Sequence, residues 1–172
     1  MDIITINHLY DGYNQPLNLP LSLTSLNVGN CYNQSLNLPP NLNSLNLGID
    51  YNQSLNLPLG LTSLNLGHRY NQPLNFPSTL ITLKLGDSYN YPLTLPHSLV
   101  ILNLGYYYNH QLKFPHNIQD LKIGKSYNHP IELPPKLINL KLRNKDILPS
   151  TLPKSLNSLK LGNKYVFISR SL

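Results

Sequence analysis

The sequence predicts an all-β repeat solenoid in which parallel strands stack, one strand per 19-residue coil, with extended polyproline-like return segments and essentially no helix. Two regularities support this prediction. A Tyr-Asn pair recurs every 19 residues from Tyr13 to Tyr127, without an insertion across seven copies. A proline keeps the same period from Pro20 to Pro153, and the phrase Leu-x-x-Leu-x-Leu-Gly follows it. Self-similarity at a fixed short period is typical of solenoids, whose units bury their apolar faces only against one another.

Each copy predicts one short strand. Around Leu26, Asn27 and Val28 the apolar and polar residues alternate, so the two apolar side chains should point inward and Asn27 outward. Strands of successive copies would then lie roughly 4.8 Å apart. Gly29 and its equivalents are expected to permit a tight bend after the strand, and only Arg143 replaces that glycine. The prolines of the other half suit an extended return rather than a helix.

The chain is expected to form a single domain with a cap at each end, because terminal units of a solenoid must close the stack. The predicted parts are an N-terminal cap at residues 1–12, repeats at 13–162 and a C-terminal cap strand at 163–172. Strand-like runs occur at 3–6 and 166–168. If these strands leave free edges, homo-oligomers formed through the ends are expected.

Composition limits the cellular setting and the function classes. Cys31 is the only cysteine, which excludes an internal disulfide and favours a reducing compartment. Neither a signal-like start nor a run of 18 apolar residues occurs, so an intracellular, cytoplasmic protein without membrane contact is expected. The sequence has no glycine-rich phosphate loop, GxSxG or HExxH. We therefore expect no catalytic residue, no cofactor and no enzyme activity.

Polar residues that recur in register are expected to hold the turns. The asparagines after the tyrosines would stack and bond to backbone groups, as a structural ladder. They are Asn14, Asn33, Asn52, Asn71, Asn90, Asn109 and Asn128. The tyrosines should form a packing spine with their hydroxyls at its edge. The next position holds Gln in the first four copies and then Tyr91, His110 and His129, and it is expected to face solvent.

Two histidine pairs would lie on adjacent coils, namely His97 with His116 and His110 with His129. Zinc normally takes three or four ligands, and no in-register Cys, Asp or Glu completes either pair. No metal site is therefore expected, and these histidines are interpreted as surface residues.

Positive charge collects in the C-terminal half of the chain. Residues 1–83 carry one arginine and three aspartates, net −2, and residues 84–172 carry 12 basic and four acidic residues, net +8, which sums to +6. The outward strand row is amide-rich in the first half and lysine-rich in the second. We expect this face to bind a protein partner. The candidate contact residues are Lys84, Ile101, Tyr106, Tyr107, Lys122, Lys141 and Lys160.

Two other functions stay open at this stage. One is a structural or assembly role through the solenoid ends. The other is nucleic-acid binding, in which the lysine row would contact phosphates, and the shortage of interleaved aromatic residues disfavours it. The lysines would otherwise serve solubility and protect a regular sheet from aggregation.

The repeated phrase resembles the FNIP repeat, a short relative of leucine-rich repeats (LRRs). Tyr70, Asn71, Gln72 and Pro73 come nearest to that family's Phe-Asn-Gln-Pro form, and the resemblance covers residues 13–162. It implies an LRR-like solenoid, occurrence mainly in amoebae and the large DNA viruses that infect them, and protein-protein interaction, often beside an F-box. A viral protein of this kind would act in the host cytoplasm. The 12 residues before the first Tyr-Asn cannot hold an F-box, so a ubiquitin-ligase adaptor role would require another chain.

Overall fold

The structure, a computed structural model, describes residues 4–6 and 12–166. It contains one ten-stranded sheet in which the strand order follows the chain order. The strands are β1 (Ile4–Ile6), β2 (Leu23–Asn27), β3 (Ser44–Asn46), β4 (Ser63–Asn65), β5 (Thr82–Lys84), β6 (Ile101–Asn103), β7 (Asp120–Ile123), β8 (Asn139–Leu142), β9 (Ser158–Leu161) and β10 (Lys164–Val166). The described residues include no helix, and thus none that could cross a membrane.

Strands β1 to β9 pair in parallel, and from β2 onward each residue faces its equivalent 19 positions later. Leu45 of β3 lies opposite Leu64 of β4, for example. The predicted LRR-like solenoid with one strand per coil and extended return segments is confirmed. Residues that are 19 positions apart lie side by side on neighbouring strands, so successive coils stack in register.

The last strand reverses direction. β10 pairs with β9 in antiparallel fashion, after a two-residue turn in which Gly162 has a φ of 58°. One strand, β10, thus follows the last coil. Residues 167–172 of the predicted C-terminal cap, and residues 1–3 and 7–11 of the N-terminal cap, lie outside the described part of the chain.

The core consists of stacked apolar rows, one row for each inward position of the coil. In β4 and its flanks these positions are Leu61, Leu64 and Leu66, which are at most 4% exposed. Tyr70 is also buried. Among the described residues no polar or charged residue is buried as a whole, so burial of apolar side chains carries the stability of this thin stack.

The tyrosines form a stack through the repeats. Ring centroids of successive members from Tyr13 to Tyr127 lie 6.2–6.4 Å apart with nearly parallel planes, an offset-stacked arrangement. The expectation that their hydroxyls lie at the edge is wrong. Each ring reaches across the coil, so that the Leu112 N–H of the return segment donates to the hydroxyl oxygen of Tyr127 at 3.3 Å.

Two equivalent hydroxyls, those of Tyr51 and Tyr70, are buried without a hydrogen-bond partner among the described residues. The hydroxyls of Tyr32, Tyr89 and Tyr108 are also buried, and each meets the backbone of Leu17, Leu74 and Leu93, respectively, in a contact too loose to count as a full hydrogen bond. Burial disfavours the charged phenolate and raises the pKa of Tyr89 to about 12, with a smaller contribution from Tyr91. The same cause raises the pKa of the other tyrosines of the stack from Tyr32 to Tyr127.

The asparagine ladder is present. In each rung the side-chain Oδ1 of one asparagine accepts the backbone N–H of the next, over 2.8–3.1 Å from Asn14 to Asn128. One residue type therefore satisfies a backbone donor that the turn leaves free.

The position after this asparagine is not a free solvent-facing one, so that expectation is wrong for several copies. Gln34 is half-buried, and its Nε2 donates to the Asn14 carbonyl oxygen at 3.3 Å. The Nε2 atoms of His110 and His129 lie 2.8 and 3.0 Å from the equivalent carbonyl oxygens of Asn90 and Asn109. Imidazole thus replaces the glutamine amide at the same backbone group, which explains why both side chains occur here.

The recurring glycine is required for a reason other than the expected bend. Among the described glycines only Gly162 has a positive φ. Gly48, Gly67, Gly86 and their later equivalents instead lie against the backbone of the preceding coil, which leaves no room for a Cβ atom. The glycines therefore set how closely the coils stack.

Candidate functional site

A groove of about 370 Å³ lies on the outward face of the sheet, over β5 to β9, and ends at β10. Its floor consists of backbone and of side chains that alternate with the buried leucines. One row of lining residues contains Lys84, Asn103, Lys122, Lys141 and Lys160. The neighbouring row contains Ile101, Asp120, Asn139 and Ser158, and Tyr165 closes the end.

Parallel pairing arranges the lysines side by side. Lys122 lies opposite Lys141 in the sheet register, and Lys141 lies opposite Lys160. Asn103 separates Lys84 from Lys122. Adjacent strands lie about 4.8 Å apart, so this lysine row, Lys84 to Lys160, spans about 19 Å.

No carboxylate among the described residues forms an ion pair with the lysine row. Within the described residues Arg69 forms an ion pair with Asp50 at 2.8 Å, the His68 imidazole lies 3.3 Å from the Asp87 carboxylate, and neither contact involves the row. Asp120, the one acidic residue of the groove, accepts a hydrogen bond from the Asn139 side-chain amide instead.

The pKa of Lys122 is lowered by its position in this row. Partial burial lowers its pKa from the usual value, and the positive charges of Arg143, Lys141 and Lys84 lower it further. Asp87 acts in the opposite direction without forming an ion pair with it. The uncharged form of Lys122 is therefore favoured more than in free lysine, and a bound anion would reverse this effect.

In the N-terminal half, asparagines occupy the same outward strand row, and their side chains hydrogen-bond to one another. The Asn46 amide donates to the Asn27 Oδ1 at 2.7 Å, and the Asn65 amide donates to the Asn46 Oδ1 at 2.5 Å. Asn103, between two lysines, has no such side-chain partner within the described residues. The outward face thus changes from amides bonded to one another to open donors.

Five of the seven predicted contact residues line the groove, and the tyrosine pair does not. Tyr106 and Tyr107 follow the glycine, where the chain has turned away from the strand face. The Tyr106 ring faces the Arg143 guanidinium, 5.9 Å from its centroid, and packs edge-on against Tyr107 with centroids 4.8 Å apart. Tyr107 is 56% exposed, so the pair lies beside the groove as a separate aromatic feature.

Tyr165 is the groove residue that the repeat pattern did not predict. Antiparallel pairing sets it opposite Lys160, whose Nζ lies 4.6 Å from the ring centroid in a cation–π contact. Tyr165 remains 71% exposed. The Gly162-Asn163 pair between two strand-like runs is a hairpin signal, and it would have placed Tyr165 beside Lys160.

The histidine pairs do not assemble a metal site in the described part of the chain. His97 and His116 are exposed, while His110 and His129 are engaged at backbone carbonyl oxygens. Residues 4–6 and 12–166 contain no group of three or more His, Cys, Asp or Glu side chains that could hold a metal ion.

The repeats match a known family over nearly the whole chain. A profile of the FNIP Repeat matches six segments, which are residues 13–50, 32–69, 51–88, 70–107, 108–145 and 127–164. The chain belongs to the FNIP repeat family. No curated protein matches this FNIP repeat chain.

Among solved structures, the FNIP repeat chain is similar to CroV588, a giant-virus protein described as a novel circular LRR protein. The TM-score is 0.73, and the identity is 32% over 88% of the present chain. The chain spans 26% of the length of CroV588. Scaffolds of this repeat type are typical of protein-interaction proteins.

Proposed function

We propose that the FNIP repeat chain is a non-enzymatic interaction scaffold that presents its strand face, over β5 to β9, to a protein partner. The open lysine row is the observation that carries this proposal. A row of charges that merely kept the chain soluble would not need to occupy adjacent strands or to line a groove. Here Lys122, Lys141 and Lys160 lie on adjacent strands of one groove, although their mutual repulsion disfavours that arrangement.

The scaffold beneath the face favours binding because it is already ordered. Buried leucines, the tyrosine stack and the asparagine ladder hold each strand against its neighbours. A partner would therefore order few groups of this chain on binding, which reduces the entropy cost of association. Ile101 and Tyr165 supply apolar contacts beside the charges.

An intracellular setting, which is the host cytoplasm if the protein is viral, is part of the same proposal. Cys31 is an exposed free thiol, and such a thiol persists in a reducing compartment. Location of a tagged chain in host cells tests this part of the proposal, and secretion of the chain would contradict it.

Affinity capture with charge-reversed chains tests the proposed face. The test variant is Lys122→Glu with Lys141→Glu, and the control is Lys113→Glu with Lys154→Glu, which changes the net charge equally at exposed positions outside the groove. We expect a protein retained by the wild-type chain to be lost by the test variant and kept by the control. Equal retention by all three chains would contradict binding at the strand face.

Assembly through the ends is a second candidate, favoured by the exposed last strand. β10 is the end strand of the sheet, and its apolar residues Tyr165 and Val166 are 71% and 39% exposed. The similar protein CroV588 is described as circular, and this chain spans about a quarter of its length. Sedimentation should show larger species as concentration rises, and Val166→Glu should dissociate them. A monomer at every concentration would exclude this role.

A further inference from the structure

We propose that the lysine row recognises an extended acidic peptide that runs across the strands, with its carboxylates on Lys122, Lys141 and Lys160 and an apolar side chain against Tyr165. This inference rests on the proposed function and names the chemistry of the partner. It follows from the charge, the length and the walls of the groove.

Charge complementarity favours an anionic occupant. None of the four lysines forms an ion pair within the described residues, and the Asp120 carboxylate is engaged by Asn139. Lys160 rests on the Tyr165 ring and forms no ion pair with a described carboxylate. A carboxylate on Lys122 would also offset the partial burial and the positive charges of Arg143 and Lys141, which lower the Lys122 pKa.

The length of the row corresponds to a short extended segment. From Lys84 to Lys160 the row crosses four strand intervals, about 19 Å. An extended peptide rises about 3.3 Å per residue, so about six intervals, or about seven residues, cover this distance. Alternate side chains of such a peptide point to one face, about 6.6 Å apart. Flexible lysine stems can bring one or two ammonium groups to each of three carboxylates.

The walls of the groove favour a peptide over a nucleic acid. Single-stranded nucleic acid is usually bound by successive aromatic rings that stack on the bases. Among the described residues that line the groove, Tyr165 supplies the one aromatic ring, and aliphatic Ile101 and the amide of Asn103 also line it. The Asn103 side chain has no partner within the described residues, so it can bond to a peptide backbone group.

Fluorescence anisotropy with a labelled peptide of sequence Glu-Ser-Glu-Ser-Glu-Ser-Phe, in which the three Glu and the Phe share one face, tests the proposal. The controls are the same peptide with Gln for Glu and a labelled oligothymidine. We expect the acidic peptide to bind at least about tenfold more tightly than the Gln peptide, because the Gln peptide lacks the three carboxylates. Binding of the Gln peptide with equal affinity would overturn the inference, and so would tighter binding of the oligothymidine.

Two variants connect this binding to the groove and to the proposed function. Lys141→Glu should weaken binding of the acidic peptide about tenfold. The melting temperature of this variant should equal that of the wild-type chain or exceed it, because an acidic residue between two lysines relieves their repulsion. Lys113→Glu with Lys154→Glu should leave peptide binding unchanged. If no acidic peptide binds but protein capture still depends on Lys122 and Lys141, the peptide inference fails and the scaffold function stands. If capture is also indifferent to these residues, both fail.

Discussion

A Cβ atom added to Gly67 would lie 1.6 Å from the carbonyl oxygen of Gly48, one coil earlier. The same approach recurs at Gly86, Gly105 and Gly124. The backbones of successive coils therefore touch at this row, and no side-chain rotation can make room.

We expect Gly67→Ala to lower the free energy of unfolding by about 3 kcal/mol, because overpacking against backbone forces two coils apart. Gly60→Ala is the matched control, since a Cβ atom there would meet its nearest neighbour at 3.8 Å. The control should change stability by less than about 0.5 kcal/mol. Urea denaturation followed by circular dichroism measures both, and equal effects would refute the close-contact explanation.

The asparagine ladder can be tested at one rung. Asn52→Ala removes the Oδ1 that accepts the Asn71 N–H at 2.8 Å, and should cost about 1 kcal/mol of unfolding free energy. Asn56→Ala, at an exposed position of the same return segment, should stay within about 0.5 kcal/mol. Hydrogen exchange should also be faster at the Asn71 amide. If both substitutions are equally harmless, the ladder does not stabilise the turn.

Removal of a buried tyrosine hydroxyl should have no destabilising effect where the hydroxyl has no hydrogen-bond partner. Tyr70→Phe removes an oxygen without a partner in the described structure, so it should leave stability unchanged or raise it by about 1 kcal/mol. Tyr127→Phe removes an oxygen that accepts the Leu112 N–H and should lower stability by about 1 kcal/mol. Thermal denaturation of the two variants provides the comparison. A Tyr70→Phe chain that loses as much stability as Tyr127→Phe would mean that the Tyr70 hydroxyl is satisfied.

Alkaline pH should unfold the chain. The pKa of the buried tyrosines, about 12 for Tyr89, lies above the usual 10.0, so the unfolded state loses its tyrosyl protons first. Stability from these groups is fully present below pH 10 and is lost as pH rises through about 12. Tyrosinate absorbance from the stack should therefore appear together with unfolding. Full ionisation near pH 10 with the fold intact would contradict this expectation.

The solenoid could be predicted from the sequence because its period directly determines which residues share a row. Rows such as Lys122, Lys141 and Lys160 follow from spacing alone. The role of the glycines could not be predicted, since it depends on the distance between coils. Tyr106 was placed wrongly because spacing does not tell how far the chain rotates after the glycine.

Contacts between coils at the end of the groove could also not be predicted from the repeat pattern. Tyr165 reaches the groove through an antiparallel turn that breaks the period. The engagement of Asp120 by Asn139 depends on side-chain direction, so the sequence could not show that this carboxylate leaves the lysines unpaired.

The unbroken 19-residue register has a consequence for how such a protein can change. Duplication or deletion of one whole repeat would leave the hydrogen bonds between Asn71 and Asn52, and every equivalent rung, in alignment. The length of the charged row could thus grow or shrink in steps of one strand without redesign of the core. Copying a repeat and then altering its outward residue would give a new recognition surface at little cost in stability.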